Sequence, residues 1–179
     1  MQEVEYTPSY IANYFLYVAR KESIDISPLK LMKLVYFAYA WYLYLTDKDL
    51  FSEEIQAWKH GPVIPSLYHE FKHFGLYGNI DTFSSDIDDS DEDGKATCPV
   101  IRPNEKNEKA MEAVAGVWFL YKDCDGDKVE KITHEQDAPW SIFYKEGKNI
   151  PMNDTEEHKK LIKGRAKIGY EKAVKLWKQ

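Results

Sequence analysis

Apolar positions recur at helical spacing near the start of the chain. Thr7-Pro8 pairs a capping residue with proline at the first helical position, and Ile11, Phe15 and Val18 follow, so residues 8–22 read as an amphipathic helix. Ser27-Pro28 repeats the start signal. The run LKLMKLVYFAYAWYLYL after it is apolar on almost every face, broken only by Lys30 and Lys33. Those two lysines, the capped start and the many tyrosines predict a central core helix over residues 29–45 instead of a membrane span.

Weaker patterns follow. Residues 51–58 alternate and stop at Gly61-Pro62, which predicts a short strand and a sharp corner. Pro65 to Phe74 reads as a short helix that Gly75 ends, and residues 98–102 as a second short strand. A helix is expected from about Asn104 to Tyr121, with Met111, Val114, Trp118 and Tyr121 as its inner stripe. Asp127 and Glu130 have the capping-box spacing for a brief helix ending near His134. Pro139 starts another that Gly147 ends. The last helix, about Thr155 to Trp177, carries Ile162, Ala166, Tyr170, Ala173 and Trp177 on one stripe. The expected fold is mainly α (α+β): six to seven helices around the central apolar helix (29–45), with a small two-stranded β element.

Length and composition narrow the function classes. The chain has 179 residues, enough for one well-buried core, with 44% hydrophobic and 30% charged residues. Thirteen tyrosines contribute to an aromatic content of 15%, and tyrosine serves both cores and interfaces. The N-terminus MQEVEYTPSY lacks a signal-peptide pattern, so the cytoplasm is the expected location and no membrane partner is expected. Two cysteines, Cys98 and Cys124, cannot build a disulfide framework. Net charge is −6, but from Lys159 onward eight basic residues face one acidic residue, Glu171. An acidic body with a basic tail suits docking on an acidic protein surface, and nucleic acid is not an expected partner.

Three motifs carry candidate chemistry. His69-Glu70-Phe71-Lys72-His73 matches H-E-x-x-H, which on a helix would set two imidazoles for zinc with Glu70 as general base. A third ligand is missing at the expected spacing: Leu76 and Asn79 fill the glycine and histidine slots of the extended motif. Asp89 to Gly94 matches the first half of a calcium loop, but its twelfth position is Val100, and a solvated acidic loop over residues 81–95 is the better reading. Cys124 sits among Asp123, Asp125 and Asp127, surroundings that disfavour a thiolate nucleophile. No catalytic or metal site and no cofactor is therefore expected.

Four stretches point elsewhere. They are Ala12 to Leu16 (ANYFL), Leu29 to Ala38 (LKLMKLVYFA), Glu54 to Tyr68 (EIQAWKHGPVIPSLY) and Thr133 to Trp140 (THEQDAPW). In this order they resemble the Panacea-domain family of SocA-like antitoxins. A-W-x-x-G-P-V-x-P is the most specific element. Departures from the family pattern are His60 where an aromatic is common, an extra residue near Gln136-Asp137, and the long basic C-terminal helix.

The resemblance implies a non-enzymatic antitoxin of a type II toxin–antitoxin pair, binding a co-encoded protein toxin directly. Some members also deliver the toxin to a protease, which would then be a second partner. It makes residues 1–150 a Panacea-like antitoxin domain, extended by the basic amphipathic helix of residues 151–179. Leu31, Lys33, Leu34, Tyr36, Trp58, Gly61, Pro62, Val63, Thr133, His134, Pro139 and Trp140 would be its structural signature. The toxin contact is expected on the last helix, at Lys159, Ile162, Lys163, Ala166, Lys167, Tyr170, Lys175 and Trp177. That helix reads equally well as a free arm or as part of the core. Two other classes stay open: a zinc peptidase through His69, Glu70 and His73, and a nucleic-acid-binding regulator through the basic helix.

Overall fold

The computed structural model describes residues 6–87 and 96–179. It has the helices α1 (Pro8–Glu22), α2 (Pro28–Thr46), α3 (Pro65–Phe71), α4 (Glu108–Tyr121), α5 (Gly126–Thr133), α6 (Pro139–Phe143) and α7 (Glu156–Trp177). Among the described residues five short strands accompany them: β1 (Gln56–Trp58), β2 (Gly61–Val63), β3 (Asp86–Ile87), β4 (Ala96–Thr97) and β5 (Ile150–Pro151). The fold is mainly α with a small β element, as the sequence predicts.

Helix α2 is the axis, touching α1, α3, α4, α5, α7 and β2. An all-round apolar helix can only be stable if neighbours cover every face, and Leu31, Leu34, Val35, Ala38 and Tyr39 have no exposed surface at all. Its two lysines are buried with it, and each finds a backbone carbonyl. Lys30 Nζ donates to Lys122 O at 2.6 Å and Lys33 Nζ to Pro62 O at 3.0 Å. No helix among the described residues is long and apolar enough to cross a membrane.

The β elements differ from the sequence reading. Residues 98–102 form no strand; Asn13 Nδ2 of α1 donates to Pro99 O at 2.8 Å and holds that stretch as a loop. The partner of β1 is β2, the Gly61–Val63 segment taken from sequence as a corner. They form a tight hairpin in antiparallel register, Trp58 opposite Gly61 and Gln56 opposite Val63. Pro62 fits because β2 is an edge strand, where a missing N–H costs no ladder bond. On the other side β5 completes a three-stranded sheet in the order β2-β1-β5. Asn153 extends that ladder with its side chain, accepting from Ile55 N at 2.9 Å and donating to Glu53 O at 3.1 Å.

Several helix ends also move. Helix α4 starts at Glu108 instead of Asn104, because Asn107 folds back on the preceding loop, accepting from Asn104 N and donating to Arg102 O. The cap of α5 is Asp125, accepting from Lys128 N at 2.8 Å, two residues before the expected Asp127. Helix α3 stops at Phe71 and a 3₁₀ turn carries Lys72–Phe74. Helix α6 ends at Phe143, short of Gly147.

Candidate functional site

The signature residues converge on one junction between α2, the β1–β2 hairpin and the α5–α6 corner. Gly61 sits at φ +100°, a region that L side chains rarely adopt. A β-carbon there would lie 2.8 Å from Lys33 Cε, Lys33 Nζ and Thr133 Oγ1, so the glycine is the notch into which Lys33 fits. Thr133 Oγ1–H donates to Glu130 O at 2.7 Å, and His134 Nδ1–H donates to the same carbonyl at 2.8 Å. The His134 ring lies 3.6 Å, centre to centre, from the indole of Trp140, whose Nε1–H donates to Trp58 O at 2.7 Å. The remaining signature residues, Leu31, Leu34 and Tyr36 on α2, Val63 on β2 and Pro139 on α6, are buried as well.

Lys33 is the unusual member. Its side chain has no exposed surface, and burial pushes the ammonium from 10.5 down to about 7, against a weaker opposing pull from Glu130. The geometry assigns the amine to clamping Pro62 O and with it the edge strand. Glu130, read from sequence as half of a capping box, pairs with His60 Nδ1 at 2.9 Å and faces the junction instead. His60, one of the departures from the family pattern, thus takes up the carboxylate nearest Lys33.

The H-E-x-x-H stretch is used differently from its motif. His73 falls in the 3₁₀ turn, off the α-helical register that would align it with His69. His69 packs edge-on against Trp58 and Tyr68, with ring centres 6.4 and 5.5 Å apart. Both Glu70 oxygens are engaged: one accepts from Ser84 Oγ at 2.6 Å, the other from Ser85 N at 2.9 Å. Ser84 is also held by Asn13, which accepts from its N at 2.7 Å and donates to its O at 2.8 Å. Glu70 and the ANYFL motif therefore latch one loop onto α1. The Asp89–Gly94 calcium-like match lies outside the described residues.

Helix α7 is a wall of the core. Ile162, Ala166 and Ala173 are buried against α2 and α4. Tyr170 stacks edge-on over Trp41 at 5.6 Å, contacts Tyr44, and donates to Glu112. Lys159 pairs with Asp49 at 2.6 Å, Lys163 with Asp47, and Arg165 with Glu135. Of the residues expected to meet a toxin, Ile162 and Ala166 thus face inward and Lys159 and Lys163 hold the C-terminal end of α2. Lys167, Lys175 and Trp177 remain on the outside. Trp177 is 52% exposed and stacks on Phe119 of α4, ring centres 5.3 Å apart.

A second outward set escaped the sequence reading. Leu161, Ile168 and Leu176 are exposed on the opposite flank of the buried stripe, Ile168 by 59%. Their spacing of seven and eight residues is the signal that marks them. Ile142 of α6, a helix that packs against α7, is exposed as well.

Comparison with known proteins identifies the family. A family model described as antitoxin SocA-like, Panacea domain, matches residues 31–141. Antitoxin SocA of Caulobacter vibrioides (strain NA1000 / CB15N) is 40% identical over 134 residues, covering 74% of this chain and 68% of that protein. No solved structure matches the chain at a significant level. By the family match over residues 31–141 and the identity to SocA, this chain belongs to the SocA-like antitoxins, the Panacea-domain family.

Proposed function

We propose that the chain is the antitoxin of a type II pair, neutralising a co-encoded protein toxin in the cytoplasm by direct contact and without catalysing a reaction. The observation that carries this reading is the outer surface of α7, where large apolar side chains are left uncovered beside cations. Trp177 with Phe119 forms one patch; Leu161, Ile168 and Leu176 form the other, with Lys172 and Lys175 beside them. Exposed aromatics flanked by charge supply affinity from burial, and rate and selectivity from the charges. The partner surface proposed from the sequence therefore shrinks to Lys167, Lys175 and Trp177 and gains the Leu161–Ile168–Leu176 flank. Delivery of the bound toxin to a protease is a further step that the family resemblance implies.

The other two classes have less support. Glu70 is bound to Ser84 and Ser85, so a peptidase would have to break its own loop latch to free a general base. Three cations of the basic helix are paired to Asp49, Asp47 and Glu135, which weakens α7 as a track for phosphates.

The test is co-expression with the product of the adjacent reading frame. Trp177→Glu and Ile168→Asp should fold with melting temperatures near that of the parent, since both sites are exposed. At least one should fail to rescue growth and to co-purify with the toxin. If both variants protect cells and bind as the parent does, α7 is not the contact surface.

A further inference from the structure

A cavity of about 260 Å³ lies between α2, α4, the α5–α6 corner and α7; Thr133 and Pro139 line it on the side of the signature junction, and Ile168 and Lys172 on the outer flank of α7. Three side-chain donors line it or border it: Tyr36 Oη, Tyr121 Oη and Trp41 Nε1. All three side chains are more than nine-tenths buried, yet none of these atoms is hydrogen-bonded to a protein nitrogen or oxygen among the described residues. None is sealed either, because no enclosed side-chain nitrogen or oxygen there lacks a partner; the three open onto the cavity. Donors with so little exposed surface reach few waters, so an acceptor inside the cavity would pair with them.

Gly169 of α7 makes the room. A β-carbon at that position would sit 3.2 Å from Tyr121 Oη and 3.3 Å from Trp41 Nε1, so its absence leaves both donors facing one space. Arg165 and Lys172 bring two positive charges to the lining and Glu135, paired with Arg165, one negative charge. The balance is positive. Burial raises both phenols, Tyr121 to about 12, against a smaller opposing pull from Arg165, so both remain O–H donors at neutral pH. Phe37, Ala40 and Ala166 supply apolar walls. The volume is near the small end of ligand pockets, ~300 Å³.

We propose that this cavity binds a small organic anion, a carboxylate or phosphate on a flat apolar body. Tyr36, Tyr121 and Trp41 donate to its oxygens, and Arg165 and Lys172 balance its charge. Because α7 forms one wall, the bound anion ties α7 to α2 and stabilises the folded chain by mass action.

Phenyl phosphate and benzoate are suitable probes on the full chain, with benzyl alcohol as the uncharged comparator. The expected result is a saturable shift of the Trp41 indole N–H resonance and a raised melting temperature with at least one anion. Benzyl alcohol should bind roughly tenfold or more weakly, as should the anion to the Tyr36→Phe/Tyr121→Phe variant, since each loses hydrogen bonds to a charged group. If that variant does not fold, Lys172→Gln, at an exposed position, should weaken the anion alone and leave benzyl alcohol unchanged. The proposal is overturned if neither anion gives a saturable shift at millimolar concentration, or if benzyl alcohol binds equally well. It is also overturned if anion affinity is unchanged in the variants.

Discussion

Replacing Gly61 with alanine tests the signature junction most directly. The residue is held at φ +100°, and its added methyl would lie 2.8 Å from three atoms of Lys33 and Thr133. Two costs follow. Forcing a residue with a β-carbon into that backbone region costs ~1–3 kcal/mol. Crowding a packed site costs another ~1–3 kcal/mol, and Lys33 and Thr133 are both buried, so neither can swing into solvent to relieve it. The total of ~2–6 kcal/mol is a large share of a typical domain stability of ~5–15 kcal/mol. Gly75 supplies the control: its φ is +73° and nothing lies within 4 Å of where its β-carbon would be. Gly75→Ala should carry only the backbone cost. Equilibrium urea unfolding of both variants, with unchanged m values, gives the crowding energy as the difference between them. Equal losses in the two variants would refute the notch, leaving Gly61 as an ordinary turn residue.

Three further outcomes are expected. Lys33 releases its proton near pH 7 when folded but near 10.5 when unfolded, so between those values the unfolded chain binds more protons and stability must rise with pH. The rise should approach ~1.4 kcal/mol per pH unit between about pH 7 and 10, and Lys33→Met should flatten it in a pH series of urea titrations. Leu34→Ala, at the fully buried centre of α2, should cost ~2–5 kcal/mol, whereas a loss within surface noise would displace α2 from the core. Purified protein should retain no stoichiometric zinc after dialysis, and Glu70→Gln should lose ~1–2 kcal/mol from the Ser84–Ser85 latch; stoichiometric zinc that resists dialysis, with an activity lost in Glu70→Gln, would revive the peptidase.

What could be read from the sequence follows the length of each signal. Helices α1, α2 and α7 run over 15, 19 and 22 residues, so their periods are repeated often enough to fix them. Strands of two or three residues offer no period at all. β2 is spelled Gly-Pro-Val, a turn composition, and becomes a strand by pairing with β1, while Lys33, 29 residues earlier in the chain, bonds Pro62 O. β5 is placed by Met152 N donating to Ile55 O at 2.7 Å, a contact across nearly a hundred residues that local spacing cannot carry. Gly61, Lys33 and Thr133 could be named from the sequence only as parts of a family resemblance. Their roles could not, because Gly61, Lys33 and Thr133 act on one another only once α2, the hairpin and α5 have met.

The ambiguity of α7 has a different origin. An amphipathic stripe states that one face is covered and is silent about what covers it. Here the answer is written elsewhere in the chain. Asp47 and Asp49 just beyond the C-terminal end of α2 receive Lys163 and Lys159, Glu135 receives Arg165, and Trp41 and Tyr44 offer rings to Tyr170. Each of those acids is an ordinary surface residue when read alone. Together they neutralise three of the cations that made the helix look like a free basic arm, and they do so along its first half. Lys167 pairs only with Glu171 of its own helix, and the exposed cations and apolar side chains lie mainly in this second half, up to Trp177. A helix anchored at its start and uncovered toward its end can serve the core and a partner at once. Truncation before α7 should therefore destroy the fold along with the proposed contact, and only substitutions on its outer flanks separate the two roles.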